Sequence, residues 1–111
     1  MKYSIYQINL TDEQYEDKVV LETYRSVQFG CSVASVISAK PLYSKVAIID
    51  AEDLEGVFTI GNVGPEHRIE RIAPMHSVSV GDVVVDTSGF ASVCMPRGFK
   101  QFGKQGEFCG I

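Results

Sequence analysis

Residues 75 to 95 read MHSVSVGDVVVDTSGFASVCM, and this stretch decides the fold. Two short apolar runs, Val83 to Val85 and Phe90 to Met95, flank the cluster Asp86, Thr87, Ser88 and Gly89. Apolar runs separated by turn-forming residues predict a β-hairpin. Just ahead of it, Ser77, Ser79, Gly81 and Asp82 alternate with Val78 and Val80. Hydroxyl and carboxylate side chains cap turns of their own backbone, and glycine admits positive φ. The motif therefore reads as a bend that feeds the hairpin, with Val78 and Val80 plugging the core.

Working back toward the N-terminus, Lys45 to Ala51 carries Val46, Ala47, Ile48 and Ile49. The run is too short and too apolar for a surface helix and predicts a central strand covered on both faces. Tyr3 to Leu10 places Tyr6, Ile8 and Leu10 on one side and Gln7 and Asn9 on the other, the alternation of a half-buried strand. Thr11 with Gln14 three positions on fits a capping box. The apolar stripe Tyr15, Val19, Val20, Tyr24 and Val27 then predicts one helix to about Val27, ended by Phe29 and Gly30. Ser32 to Ala39 suits a short helix capped by Ser32 and stopped before Pro41. Asp50, Glu52, Asp53 and Glu55 supply an acidic first turn to another, with Leu54, Val57 and Phe58 inward and a stop at Gly61 and Asn62.

The stretch 62–74 is polar apart from Val63, Ile69 and Ile72, and is expected to be the longest exposed connection. The order of elements predicts an α+β fold with a mixed or antiparallel sheet of about four strands, two to three short helices and a C-terminal hairpin. Residues 1–102 are expected to form one domain and 103–111 a flexible tail.

Composition bounds the function. At 111 residues, with 45% hydrophobic and 22% charged content, the chain suits one modest core and fits neither an acidic disordered chain nor a membrane protein. The opening residues lack the apolar run and small-residue cleavage site of a secretory signal, so the cytoplasm is the expected location. Cys31, Cys94 and Cys109 are odd in number and widely spaced, which predicts reduced thiols. Residues 1–95 hold 13 acids and 7 bases, a balance of −6, while residues 96–111 hold 1 acid and 3 bases, a balance of +2. An acidic body argues against a broad phosphate-binding surface.

Candidate chemistry meets a simpler reading at each point. His76 with Ser77 or Ser79 could act as base and nucleophile, but adjacent side chains diverge, and a nucleophile needs its base within hydrogen-bond reach. His67, His76 and a cysteine could bind zinc, but their spacing offers no support. Gly61, Gly64 and Pro65 follow a helix instead of opening one, so they are not a dinucleotide fingerprint. Arg97, Lys100 and Lys104 interleaved with Phe99 and Phe102 could hold a single-stranded nucleic acid; alternatively the rings pack on a sheet edge and the cations keep that edge soluble. No metal or other cofactor is expected.

From Met75 onward the string MHSVSVGDVVV, then Gly89, Gly98 and Phe99, resembles the YodL-like domain. The opening IYQINL at Ile5 to Leu10 is similar to that family's first strand. Most of residues 1–102 also resembles short accessory proteins of tailed bacteriophages, in which an Asp-Leu-Glu helix, an Ile-Gly-Asn turn and a Met-His-Ser segment recur in this order. Around Pro65 to Pro74 the alternating charge departs from the YodL-like pattern. The resemblance implies a protein of phages or conjugative elements that acts early in a host, with no enzymatic activity attached. It marks His76, Ser77, Ser79, Asp82, Gly98 and Phe99.

The expected function is thus a non-enzymatic phage or mobile-element accessory protein, with a host-takeover or anti-defence role. It would bind a host or viral protein through His76, Ser77, Ser79, Asp82, Arg97, Phe99 and Lys100. Two alternatives stand beside it: nucleic-acid binding by the basic and aromatic C-terminal segment, and acidic inhibition of a host nucleic-acid enzyme.

Overall fold

A computed structural model of the chain describes residues 1–29 and 32–103. Gly30, Cys31 and residues 104–111, with the helix stop, the thiols of Cys31 and Cys109 and the tail that the sequence places there, lie outside the described residues. Ten elements follow in order: β1 (Lys2–Ile8), α1 (Asp12–Glu16), α2 (Lys18–Phe29), α3 (Val33–Ser38), β2 (Tyr43–Asp50), α4 (Leu54–Val63), β3 (Ile69–Arg71), β4 (Val83–Val85), β5 (Ala91–Cys94) and β6 (Phe99–Gly103). One-turn 3-10 helices precede β2 at Lys40–Leu42 and β3 at Glu66–Arg68.

The fold is α+β. Among the described residues six strands form one sheet in the order β3-β2-β1-β4-β5-β6, antiparallel at every pairing. The expected hairpin is β4 and β5, with Asp86 Oδ1 accepting from the backbone N–H groups of Ser88 (2.9 Å) and Phe90 (3.0 Å) in its turn. Two strands exceed the expected four, and they are the two edges of the sheet. β3 lies inside the stretch read as a loop, which also holds the end of α4 and a 3-10 turn. β6 follows the hairpin, so the hairpin is not the last element.

β1 is a central strand, buried on both faces, and not the half-buried strand that its alternation suggests. A register shift between Ile5 and Tyr6 changes the phase of the pleat. Tyr3 and Ile5 consequently join the core on one face, while Tyr6 and Ile8 join the core on the other. The single core expected from the chain's length is divided in two by the sheet. On one face Val27 of α2 and Val36 of α3 pack with Tyr43, Val83, Val85 and Val93. On the opposite face Val57 and Ile60 of α4 pack with Ile49, Val84 and Val78.

The predicted helix 12–27 is two helices, for a local reason. Asp17 closes α1 in extended conformation, and its Oδ1 accepts from the N–H groups of Val19 (3.0 Å) and Val20 (3.3 Å), so the same residue caps α2. Thr11 and Gln14 make the expected capping box, and Ser32 makes a second one with Ser35. α4 starts on the Asp53 cap but runs past Gly61 and Asn62 to Val63. Gly61 lies inside the helix and leaves room for Val78, since a Cβ there would sit 2.3 Å from Val78 Cγ2. Of the three residues expected inward, Val57 is buried and Leu54 half-buried. Phe58, 43% exposed, faces outward with Glu55, Thr59 and Asn62, since these share the other helical stripe.

Candidate functional site

Among the described residues the longest irregular stretch runs from Ile72 to Asp82; it overlaps the expected loop 62–74 only at 72–74 and begins ten residues after that loop's start. It crosses the sheet between α4 and β1 and is fixed at both ends. Ile72 and Ala73 donate to the Val46 carbonyl (2.8 and 3.1 Å), and Gly81 donates to the Cys94 carbonyl (2.8 Å). Partly buried backbone must find partners, and at His76 a side chain supplies them. Gln7, 0% exposed, donates through Nε2 to the His76 carbonyl (2.9 Å) and accepts at Oε1 from the His76 N–H (3.1 Å).

The same Gln7 Nε2 donates to Asp82 Oδ2 (2.9 Å), which also accepts from the Ser79 N–H (2.9 Å). Asp82 is 4% exposed. Burial pushes its carboxyl up to about 6 from the ordinary 3.8, although the Ser79 N–H, His76 and the Gln7 amide each pull it down. Gly81 holds φ +91°, with Val27 so close that a Cβ would lie 2.6 Å from its Cγ1, and the buried Tyr43 hydroxyl donates to the Gly81 carbonyl. Tyr24 of α2 shares the shallow cleft over Asp82 with His76; burial first, then Tyr15 and Asp82, hold its phenol above the ordinary value.

Three of the sequence-marked residues, His76, Ser79 and Asp82, are therefore brought together, but in roles that hold the bend. His76 Nδ1 lies 2.8 Å from the Ser77 carbonyl, which can only accept, so the geometry puts the proton on Nδ1. Among the described residues neither the Ser77 nor the Ser79 hydroxyl is bonded to the imidazole. Val78 plugs the core at 1% exposed, as the alternation suggested, whereas Val80 is only half-buried. Among the described residues no group of three or more His, Cys, Asp or Glu side chains is placed to hold a metal ion, and no helix is long and apolar enough to cross a membrane.

Of the other marked residues, Gly98 and Phe99 line a different feature, while Ser77, Arg97 and Lys100 do not. Between α4 and the β5–β6 hairpin lies an open groove of about 560 Å³. Its floor is the cross-strand pair Cys94 and Phe99, one wall is the α4 stripe Glu55, Phe58, Thr59 and Asn62, and Met95, Pro96 and Gly98 close the tip. Val78, Ser79 and Val80 form the inner end, tied to α4 by Asn62 Nδ2 donating to the Val78 carbonyl (2.9 Å). Arg97 is exposed at the hairpin tip between Pro96 and Gly98, whereas Lys100, paired with Val93, is exposed on the opposite face of the sheet from the groove; neither makes an ion pair among the described residues. Phe99 and Phe102 pack against opposite faces of the sheet, so the two rings do not share one stacking surface.

Sequence reasoning missed Gln7, Phe58 and Asn62. A signal for Gln7 exists in the slip from Tyr3 and Ile5 at odd positions to Tyr6 and Ile8 at even ones, which marks a strand with two buried faces. For Phe58 the signal was ambiguous, because Leu54, Val57 and Phe58 all fit a helical face and only tertiary packing chooses between stripes. Compared with known proteins, the chain matches no family model, no curated protein and no solved structure.

Proposed function

We propose that this chain is a non-enzymatic accessory protein of a bacteriophage or another mobile element, and that it binds a host or viral protein through the groove between α4 and the β5–β6 hairpin. The carrying observation is the groove itself: about 560 Å³, walled by an exposed Phe58 and floored by Phe99, with the exposed Arg97 between Pro96 and Gly98 at its tip. Large exposed apolar surface edged by charge is a feature of interaction sites. The polar cluster at Gln7, Ser79 and Asp82 supports the same reading, since its hydrogen bonds go to the bend that forms the groove's inner end. The phage assignment rests on the resemblance of most of residues 1–102 to short phage accessory proteins, together with the YodL-like match between Met75 and Phe99.

Affinity capture from bacterial lysate, before and after phage infection, tests this reading. Wild-type chain is compared with Phe58→Glu and with Arg97→Glu, both exposed positions. Proteins held by wild type and lost from both variants are then purified and their affinity remeasured with isolated chains. An identical set of captured proteins on all three baits removes the groove as the binding surface.

A further inference from the structure

Asp82 is buried without a cation. It is 4% exposed, and no ion pair reaches it among the described residues. Enclosing an unpaired carboxylate costs stability, and groups held at such a cost gather at functional sites. Both hydrogen bonds to Asp82, from Gln7 Nε2 and from the Ser79 N–H, end on Oδ2. Oδ1 takes none, and it is not sealed off, since no enclosed side-chain nitrogen or oxygen among the described residues lacks a partner. The free oxygen therefore opens to the cleft that Asp82 shares with Tyr24, Gln28 and His76. That cleft has room for about 10 Å³, one water-sized group. What surrounds the space accepts hydrogen bonds. Tyr24 Oη accepts from Gln28 Nε2 (2.7 Å), keeps a second lone pair and is not bonded to Asp82. His76, with its proton on Nδ1, has an acceptor left at Nε2. Tyr15 stands edge-on to the Tyr24 ring at 6.4 Å and is 50% exposed, so aromatic carbon extends the rim. α1, which carries Tyr15, holds Asp12, Glu13 and Glu16 and no base.

We infer that this cleft is a seat for one lysine ammonium of a protein partner, with Nζ on Asp82 Oδ1, its other N–H groups toward Tyr24 and His76, and its methylene stem on Tyr15. An ammonium brings three donors, no acceptor and the missing positive charge. A planar guanidinium is too large for a space of one water, and an anion or a carbonyl would meet only acceptors. The acids of α1 draw a basic segment toward the rim. The seat goes beyond the groove-binding reading and stands apart from it, because Asp82, Tyr24 and His76 do not line that groove.

The experiment is nuclear magnetic resonance titration of the full chain, followed at Asp82, His76 and Tyr24, with Nα-acetyl-lysine methylamide, its arginine counterpart, n-butylamine and potassium chloride. The lysine probe should saturate in the millimolar range and bind about tenfold more tightly than the arginine probe. Asp82→Asn, which keeps the side chain's size, should weaken it about tenfold, and Tyr24→Phe about threefold. Binding should tighten about tenfold from pH 5 to pH 7, because the carboxyl titrates at about 6 and only its anion recruits the ammonium. The other titratable groups facing Asp82 are His76 of the bend and Tyr24 of α2, so a rise that persists in His76→Gln assigns it to the carboxyl. Peptides with one fixed Lys between random residues are then displayed against wild type and Asp82→Asn. Sequences that enrich on wild type alone, and lose binding when that Lys is made Arg, support a partner lysine. n-Butylamine that binds as tightly as any such peptide would make a free amine the ligand, and potassium that displaces the lysine probe at equal concentration would make the cleft an ion site; either overturns the proposal. So does a lysine probe that fails to bind, or binds Asp82→Asn equally well, or a display that enriches nothing. If Asp82→Asn fails to fold, Tyr24→Phe and the pH series decide.

Discussion

The Gln7 side-chain amide lies against the His76 backbone as a neighbouring strand would, donating to its carbonyl at 2.9 Å and accepting from its N–H at 3.1 Å. One side chain thus substitutes for a strand where the chain between β3 and β4 is irregular, and its remaining N–H goes to Asp82.

Replacing Gln7 with Leu keeps the volume but leaves His76 N–H and C=O, together with one acceptor site on Asp82, without a partner. The Asp82 site is buried and its orphan costs about 1–3 kcal/mol, while the His76 groups are only partly buried and cost less, so the total should be roughly 2–3 kcal/mol. Denaturant unfolding measures it. A loss under about 1 kcal/mol would mean that water takes over the amide's bonds.

Asp82 is expected to make stability fall as pH rises. Its native carboxyl titrates at about 6 against an ordinary 3.8, so between these values the folded chain holds a proton that the unfolded chain has released. The contribution is complete below about pH 3.8, is lost as pH passes 6, and two pKa units correspond to something on the order of 3 kcal/mol. Asp82→Asn, a neutral isostere, should match wild type near pH 4 and be the more stable of the two at pH 7. Melting curves for both proteins across that range check it; a variant that is less stable at pH 7 would show that the ionised carboxylate favours the fold.

Tyr43→Phe removes the hydroxyl that donates to the Gly81 carbonyl without changing the ring's packing at 3% exposed. A cost of about 1–2 kcal/mol is expected. Amide exchange at Gly81 and Asp82 should quicken more than exchange in β2, because the lost bond holds the bend and not the strand.

How much of this was legible depended on whether the deciding contact was local. The Asp86 turn, the Ser32 and Thr11 caps and the central β2 strand could be read because their partners lie within a few residues or because their apolar run is unbroken. The break at Asp17 was local too, yet hidden, since an acid at a helix start and an acid inside a helix look alike until the chain turns. β3 could not be read: Ile69, Glu70 and Arg71 hold their place through pairing with Ala47 to Ile49, and an exposed edge strand of three residues leaves no apolar signature. Among the site residues, Ser79 and Asp82 were visible as a turn, but the reason Asp82 is buried lies on β1, at Gln7.

Gly61 and Val78 test whether the bend and the groove wall are one packed unit. The helix tolerates any residue at 61 on backbone grounds, so Gly61→Ala should raise helix propensity by up to about 1 kcal/mol. Its new Cβ, however, would lie 2.3 Å from Val78 Cγ2 and 3.0 Å from Val78 Cβ, far inside contact distance. Overpacking of this kind costs about 1–3 kcal/mol, so the single variant should be destabilised despite the better propensity. Val78→Ala alone leaves a cavity and is destabilised as well. The pair should recover most of the Gly61→Ala loss, giving a coupling energy of about 1 kcal/mol or more in a double-mutant cycle. Additive losses would show that α4 and the 75–82 bend move independently, and the Asn62 to Val78 hydrogen bond would then be too weak to keep the groove's inner end closed.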